Sequence, residues 1–558
     1  MNREYDDTAF LPLRERRIAE EHLEKVAQWG RTWQQGVRPV PVEQPDPKPF
    51  YDVAERSERI CQQLLKVLSP RAAISAWWSS DSKARRLLSH HTLFNRFLWV
   101  LAVGASGSSE DPVVLDRFFA QTGRWWVASR IADSYTARET EISMAAQMAP
   151  GREFLTRTSS HSIRYHWVTR VICTEIGRQI EADEAYGAAL PQFTFANIER
   201  CMEIALEFGR RGDGTDLTVT PWSDPAADFI AENLSHQAGE LAGKDFSELA
   251  MASGLETRPW ISFTDGVAPI ALGTIRLGMD RALLHAVDRQ LLRHRKTGFR
   301  QLDKGELFER VAQECLRQSL GRLAGSKPPR PLTIEIPGER RPDIDVAIVD
   351  HRVRIIGEVK AMEAPAEISS VDRAFSQQVS KVAKQLTKRL SALDNGMPVT
   401  DGAGATFPGH RRTIALGIVL HHYSGSLTYP EMLNLLPNAV VDPRIAIADL
   451  HAWIIVLNTM GSFKEIAEYL EFRYELLNLG VVSVEECDMA VAFHNPHRGK
   501  DVIRLFRKAL ERNSELSKAF YLQGMYVSAH AAVEHPQPTD PAQWKREFYD
   551  EAQPVPIW

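Results

Sequence analysis

The sequence predicts a mixed fold: an α/β core inserted in a predominantly α-helical multidomain protein. Three observations predict it. Apolar residues recur at helical spacing through most of residues 50–300. Three short β-type runs, Leu332–Ile336, Ile344–Val349 and Val353–Lys360, then follow one another across polar turns, which suits an antiparallel meander. A long amphipathic helix and two more apolar runs come next, giving the order α-β-β-β-α-β-β.

Each element has a local cause. Residues 1–49 read as a charged helix and a proline-rich stretch, Val37–Pro49, whose composition makes a stiff, extended linker. Residues 50–300 form a helical accessory or recognition region. Within it Ile198, Cys201, Met202, Ala205 and Leu206 lie on one stripe, and Gly209 ends it. Residues 301–460 hold the α/β core. Its first helix, Gly305–Leu320, stops at Gly321. The second, Ser370–Leu393, carries Phe375, Val379, Val382, Leu386, Leu390 and Leu393 along one face. A Gly-rich loop over 394–410 precedes the runs Thr413–Leu420 and Ile445–Ala448. Residues 461–558 return to helix, most clearly at Phe463–Leu477. The 558 residues agree with three or four domains at roughly 150 residues each.

Composition excludes several classes. Charged residues make up 25% and the formal charge is -5, so a strongly basic protein that coats nucleic acid is excluded, and any phosphate-binding surface is local. The 5 cysteines are scattered, with no CxxC pair, which argues against a zinc ribbon or redox dithiol and for a reducing compartment. No apolar segment opens the chain, and the run near Phe97–Ala105 is far short of the ~20 residues of a membrane span. A cytoplasmic protein with no membrane contact is the expectation. There is no GxxxxGK[ST] loop, and hence no ATPase motor is expected.

The chemistry is concentrated in Arg341-Pro342-Asp343-Ile344-Asp345-Val346-Ala347-Ile348-Val349 and Ile355-Ile356-Gly357-Glu358-Val359-Lys360. Side chains alternate along a strand, so Asp343 and Asp345 share a face, as do Glu358 and Lys360. A hairpin through Asp350-His351-Arg352 brings an acid from each strand together with a lysine beside them. Two carboxylates so close repel each other. A hard divalent cation relieves the repulsion, and Mg²⁺ suits one or two carboxylates, waters and a phosphate oxygen. The Val359 carbonyl is a further candidate ligand. The competing structural reading is a solvent-facing strand with alternating charges.

These residues resemble the PD-(D/E)XK nuclease superfamily, the restriction-endonuclease-like fold. Pro342-Asp343-Ile344-Asp345 and Glu358-Val359-Lys360 carry the likeness. Lys304-Gly305-Glu306-Leu307-Phe308-Glu309 resembles the family's first helix, and Gln378, Lys381 and Gln385-Leu386 its second. The likeness spans about a third of the chain, roughly residues 301–460. It implies phosphodiester hydrolysis, with catalytic Asp345, Glu358, Lys360 and Glu309 and an ion held by Asp345, Glu358, Val359, Glu309 or Asp343. Mg²⁺ is the implied cofactor, with Mn²⁺ as substitute. Asp343 is the literal PD match, and Asp345 fits the strand pattern better. Glu306 is the alternative to Glu309.

Between Arg281 and Lys304 a basic cluster includes Arg293, Arg295, Lys296 and Arg300 and leads into the first core helix. With Lys381, Gln378, Gln385 and Lys384, these are the candidate nucleic-acid contacts. For any single member of the Arg281–Lys304 cluster a solvated helix face is an equal alternative. His90-His91 and His421-His422 lack partners at metal-ligand spacing. Trp77-Trp78 and Trp125-Trp126 read as packing residues. The expected protein is a Mg²⁺-dependent endonuclease, with DNA favoured over RNA, in the setting of antiviral defence or restriction. The alternatives are an RNA or tRNA nuclease, or an inactive nucleic-acid- or partner-binding protein on a nuclease fold. A homo-oligomer or partner protein is compatible with the accessory chain.

Overall fold

The computed structural model describes residues 7–34, 43, 45–78, 93–136, 166–210, 219–252, 254–270, 272–294, 302–321, 323, 330–334, 336, 343–349, 353–361, 368–400, 406–407, 412–420, 442, 444–478, 481–483, 486–494 and 520–522. The fold is mixed α/β and mostly helical. The chain divides into two compact units, each drawn from separate stretches: residues 1–160 with 200–278, and residues 161–199 with 279–558.

The first unit is built on helices. Helix Leu93–Gly104 forms its centre, and the whole run from Phe97 to Val103 is buried. This is the long apolar run of the sequence. A helix apolar on all sides must be enclosed by others, and helices Lys48–Leu65 and Pro112–Thr136 share this core. Trp125 packs edge-on against Phe97 and Phe246, so it belongs to the core as expected. Helix Lys48–Leu65 starts inside the stretch read as a linker, because proline is well tolerated in a first helical turn. The turn after Gly104 packs against the backbone at Val67 and Leu68. A Cβ at Gly107 would lie 2.0 Å from the Val67 carbonyl oxygen, which explains the glycine there.

A small sheet in this unit adds strands that the mostly helical expectation did not include. Strands Thr220–Pro221, Gly266–Ala268, Trp260–Phe263 and Ser235–Gln237 pair in that order. Runs of two to four residues are too short to show a period of two against a helical background.

The second unit contains the sheet that carries the acids. We label its strands β1 (Arg330–Ile334), β2 (Asp343–Val349), β3 (Val353–Lys360), β4 (Val399–Thr400), β5 (Thr406–Phe407), β6 (Arg412–Val419) and β7 (Ile445–Asp449). Four of its helices are α1 (His166–Ala182), α2 (Lys304–Leu320), α3 (Ile368–Asp394) and α4 (Leu450–Thr459). The strand order is β7-β6-β3-β2-β1-β4-β5. Strands β1, β2 and β3 form the antiparallel meander, whereas β6 runs parallel to both β3 and β7. The parallel pair β3–β6 needs the crossover that α3 supplies. The short β4–β5 pair lies in the segment read as a Gly-rich loop. It extends the sheet beyond β1.

Helix starts follow local chemistry. The Asp303 side chain accepts a hydrogen bond from Gly305 N at 2.9 Å and begins α2, and Asp449 accepts one from Ala452 N at 2.9 Å and begins α4. Helix α3 approaches the sheet closely at Gly417, where a Cβ would stand 2.8 Å from Val382 Cγ1. Both faces of β2 and β3 are covered: every side chain described from Ile344 to Ile348, and from Arg354 to Val359, is buried. The half-exposed sheet of the competing reading is therefore not what forms.

Candidate functional site

The hairpin register puts the acids together. Val346 pairs with Gly357 and Ala347 with Ile356. Continuing that register one step sets Asp345 beside Glu358, on the face shared with Gly417, the β6 partner of Glu358. Asp345 is 4% exposed and Glu358 0%. Val359 N donates to Asp345 Oδ2 at 2.7 Å, which fixes that carboxylate. Lys360 Nζ lies 2.5 Å from Glu358 Oε1 and 3.8 Å from Asp345 Oδ2, with its side chain 25% exposed. The two acids and the lysine expected from the sequence do meet.

The second helix delivers a residue that sequence reasoning missed. Arg389 of α3, 5% exposed, forms an ion pair with Glu358 Oε2. A signal for it existed. Arg389 follows Leu386 by three residues and precedes Leu393 by four, so it sits within the apolar stripe. A cation in a buried stripe needs a partner. Gln385 lies one turn before Arg389, and its Oε1 is buried with no hydrogen-bond partner. Lys381, Lys384 and Lys388 are exposed.

Burying three of these four ionisable groups is costly unless charges and lone pairs are satisfied. The charges are: two carboxylates face two cations. The lone pairs are not. Neither Glu358 oxygen receives a well-directed hydrogen bond, so Lys360 and Arg389 approach it by charge alone.

From α2, Gln313 Nε2 donates to the Asp345 carbonyl oxygen at 2.7 Å. Glu309 is half-buried one turn earlier on the same face and Glu306 is exposed, and neither joins Asp345 and Glu358 in a three-carboxylate group, so the expected α2 ligand is not brought to the site. Arg293 is exposed and donates to Gln290 Oε1 at 3.3 Å. Arg295, Lys296 and Arg300 lie outside the described residues, as do His90, His91, His421 and His422 and the side chains of Asp343, Gln378, Trp77 and Trp78.

The donor set is two carboxylates, a buried amide oxygen and backbone carbonyls, all hard oxygen ligands. Among the described residues no cluster of three or more His, Cys, Asp or Glu side chains could hold a metal ion. Mg²⁺ does not require one, since it keeps several waters and binds through one or two carboxylates. The unsatisfied oxygens of Glu358 thus fit such an ion. All five cysteines are buried, and burial raises the Cys61, Cys201 and Cys315 thiols well above their usual range, which makes them poor nucleophiles.

No family model matches the chain, and no curated protein matches its sequence. Among the described residues no helix is long and apolar enough to cross a membrane.

Proposed function

We infer that the chain is a metal-dependent nuclease of the PD-(D/E)XK type that hydrolyses phosphodiester bonds, with DNA favoured over RNA. One observation carries the reading: Asp345 and Glu358 are buried side by side at the end of a hairpin, with Lys360 reaching both. The sheet supports it. A meander β1–β2–β3 continued by parallel β6 and β7, with α2 before it and α3 as the crossover, is the arrangement the resemblance implies.

Asp345, Glu358 and the Val359 carbonyl would hold Mg²⁺ or Mn²⁺. When bound, the ion supplies Lewis acidity toward a phosphoryl oxygen and lowers the pKa of a water. The protein's own groups do the rest. The Val359 N–H keeps Asp345 aimed. The Lys360 ammonium orients the attacking water and offsets charge growing on the phosphoryl oxygens. The enclosed sheet face excludes bulk water, which strengthens these interactions. The accessory chain outside residues 301–460 suits a targeted or gated effector, of the kind used in antiviral defence or restriction.

The test is a cleavage panel of DNA, RNA and modified DNA with and without metal. Cleavage with Mg²⁺ or Mn²⁺, stopped by EDTA and lost in Asp345→Ala, Glu358→Ala and Lys360→Ala, is the expected result. Equal cleavage by the triple variant would end the proposal, and preference for RNA would select the RNA or tRNA nuclease. The ion pair of Arg389 with Glu358 favours a second reading, an inactive nucleic-acid- or partner-binding protein, because a guanidinium can neutralise the carboxylate without an ion. Failure to cut any substrate, with binding retained, selects it.

A further inference from the structure

We propose that Arg389 is a built-in counter-ion for Glu358, so that a divalent ion enters this site together with a phosphodiester rather than ahead of it. The proposal rests on the nuclease reading above and concerns the order in which its site fills.

The argument starts from charge. Asp345 and Glu358 are opposed by Lys360 and Arg389, and three of the four are almost fully enclosed. The quartet is formally neutral as it stands. A divalent cation added to a neutral, enclosed group leaves surplus positive charge where water cannot screen it. The same cation arriving with nucleic acid is matched by the scissile phosphate and its neighbours.

Arg389 can serve both states. Its guanidinium fork fits a phosphate as well as a carboxylate. It does not hold Glu358 through a well-directed hydrogen bond, since both Glu358 oxygens lack one. Turning from Glu358 to a phosphate frees an oxygen for the ion and keeps the guanidinium paired. Gln385, one turn earlier on α3, supplies a second sign of an incomplete site. Its Oε1 is a buried acceptor with no donor, which an ordered water entering with the substrate would satisfy. The Lys360 side chain is the most exposed of the quartet and marks the side from which substrate arrives.

Binding linkage makes the proposal measurable. If nucleic acid tightens the ion, the ion must tighten nucleic acid by the same factor. Mn²⁺ binding to the full chain is read by electron paramagnetic resonance of the free ion. It is measured alone and with phosphorothioate duplexes of DNA and of RNA, which resist cleavage. The Asp345→Ala/Glu358→Ala double variant corrects for ions held by the oligonucleotide. In the wild type, one duplex should tighten Mn²⁺ by about tenfold or more, within the usual range of coupling between sites. Arg389→Met should bind Mn²⁺ alone about tenfold more tightly than the wild type and gain little from the duplex. Arg389→Lys should keep the wild-type linkage. Should Arg389→Met fail to fold, Arg389→Gln supplies the same comparison, and wild-type Mn²⁺ affinity and linkage in a folded neutral variant overturn the counter-ion role. Wild-type Mn²⁺ affinity unchanged by either duplex overturns the counter-ion role and leaves the nuclease reading standing. Absence of Mn²⁺ binding in every arm overturns both.

Discussion

Two buried glutamate–arginine pairs in the second unit are built in opposite ways. Glu486 receives hydrogen bonds from Arg473 Nε at 2.9 and 3.0 Å, one on each oxygen, and the Tyr469 hydroxyl donates to it as well. Glu358 has two cations beside it and no well-directed hydrogen bond on either oxygen. Both carboxylates are nearly inaccessible. The difference lies in what each has left to offer. Glu486 has spent its lone pairs on neighbours that hold Phe463–Asn478 to Glu486–His494. Glu358 keeps acceptor capacity, which a pair selected only for stability would not retain.

Substitution separates the two pairs, and the largest effect is on cleavage. Glu358→Ala should lower the rate by at least about 10²–10³, the cost of losing one preorganised electrostatic group. Glu486→Ala should leave cleavage within a few-fold once folded protein is compared. A rate loss at Glu486 as large as that at Glu358 would erase the distinction. Stability should not separate them, so cleavage alone carries the distinction. Breaking the Glu486–Arg473 pair should cost about 3–5 kcal/mol in urea unfolding, because it strands a buried guanidinium. Glu358→Ala should cost a similar amount, because it strands the buried Arg389 guanidinium in the same way, while the partly exposed Lys360 can turn to water.

Acid titration sharpens the comparison with a smaller effect. His285, in the same unit, is held down to about 4 by burial first, with Lys304 and Arg289 adding repulsion. The unfolded chain therefore binds its proton more readily. This contribution to stability is complete above the ordinary value of 6.5 and is lost as the pH falls toward 4. It amounts to about 3 kcal/mol at most. His285→Gln should flatten the unfolding free energy across that window. Acid sensitivity that remains in the variant then belongs to the carboxylate pairs. An unchanged slope would show that His285 is not responsible for it.

Much of the site was readable because strand chemistry is local. Period-two alternation set Asp345 on one face of its strand and Glu358 with Lys360 on one face of the next, and a short polar turn made a hairpin the economical connection. Helix α2 announced itself through its terminal glycine and α3 through its apolar stripe. The small sheet of the first unit and the β4–β5 pair were not readable, because two-residue strands exist only through their partners. Arg389 was passed over for a related reason. The exposed lysines Lys381, Lys384 and Lys388 dominate the charge pattern of α3, and the place of Arg389 in the apolar stripe does not name the partner that it meets.

By itself the sequence determined the order of the core elements, the face on which each acid lies, and the hard-oxygen character of the donors. These depend on the backbone period and on side-chain chemistry, which neighbours along the chain already contain. Tertiary structure alone decided three things. It enclosed both faces of β2 and β3, brought Arg389 onto Glu358, and joined residues 161–199 to residues 279–558 in one unit. Each depends on contacts between residues distant in sequence, where the entropy of closing the chain is offset only once the whole packing forms.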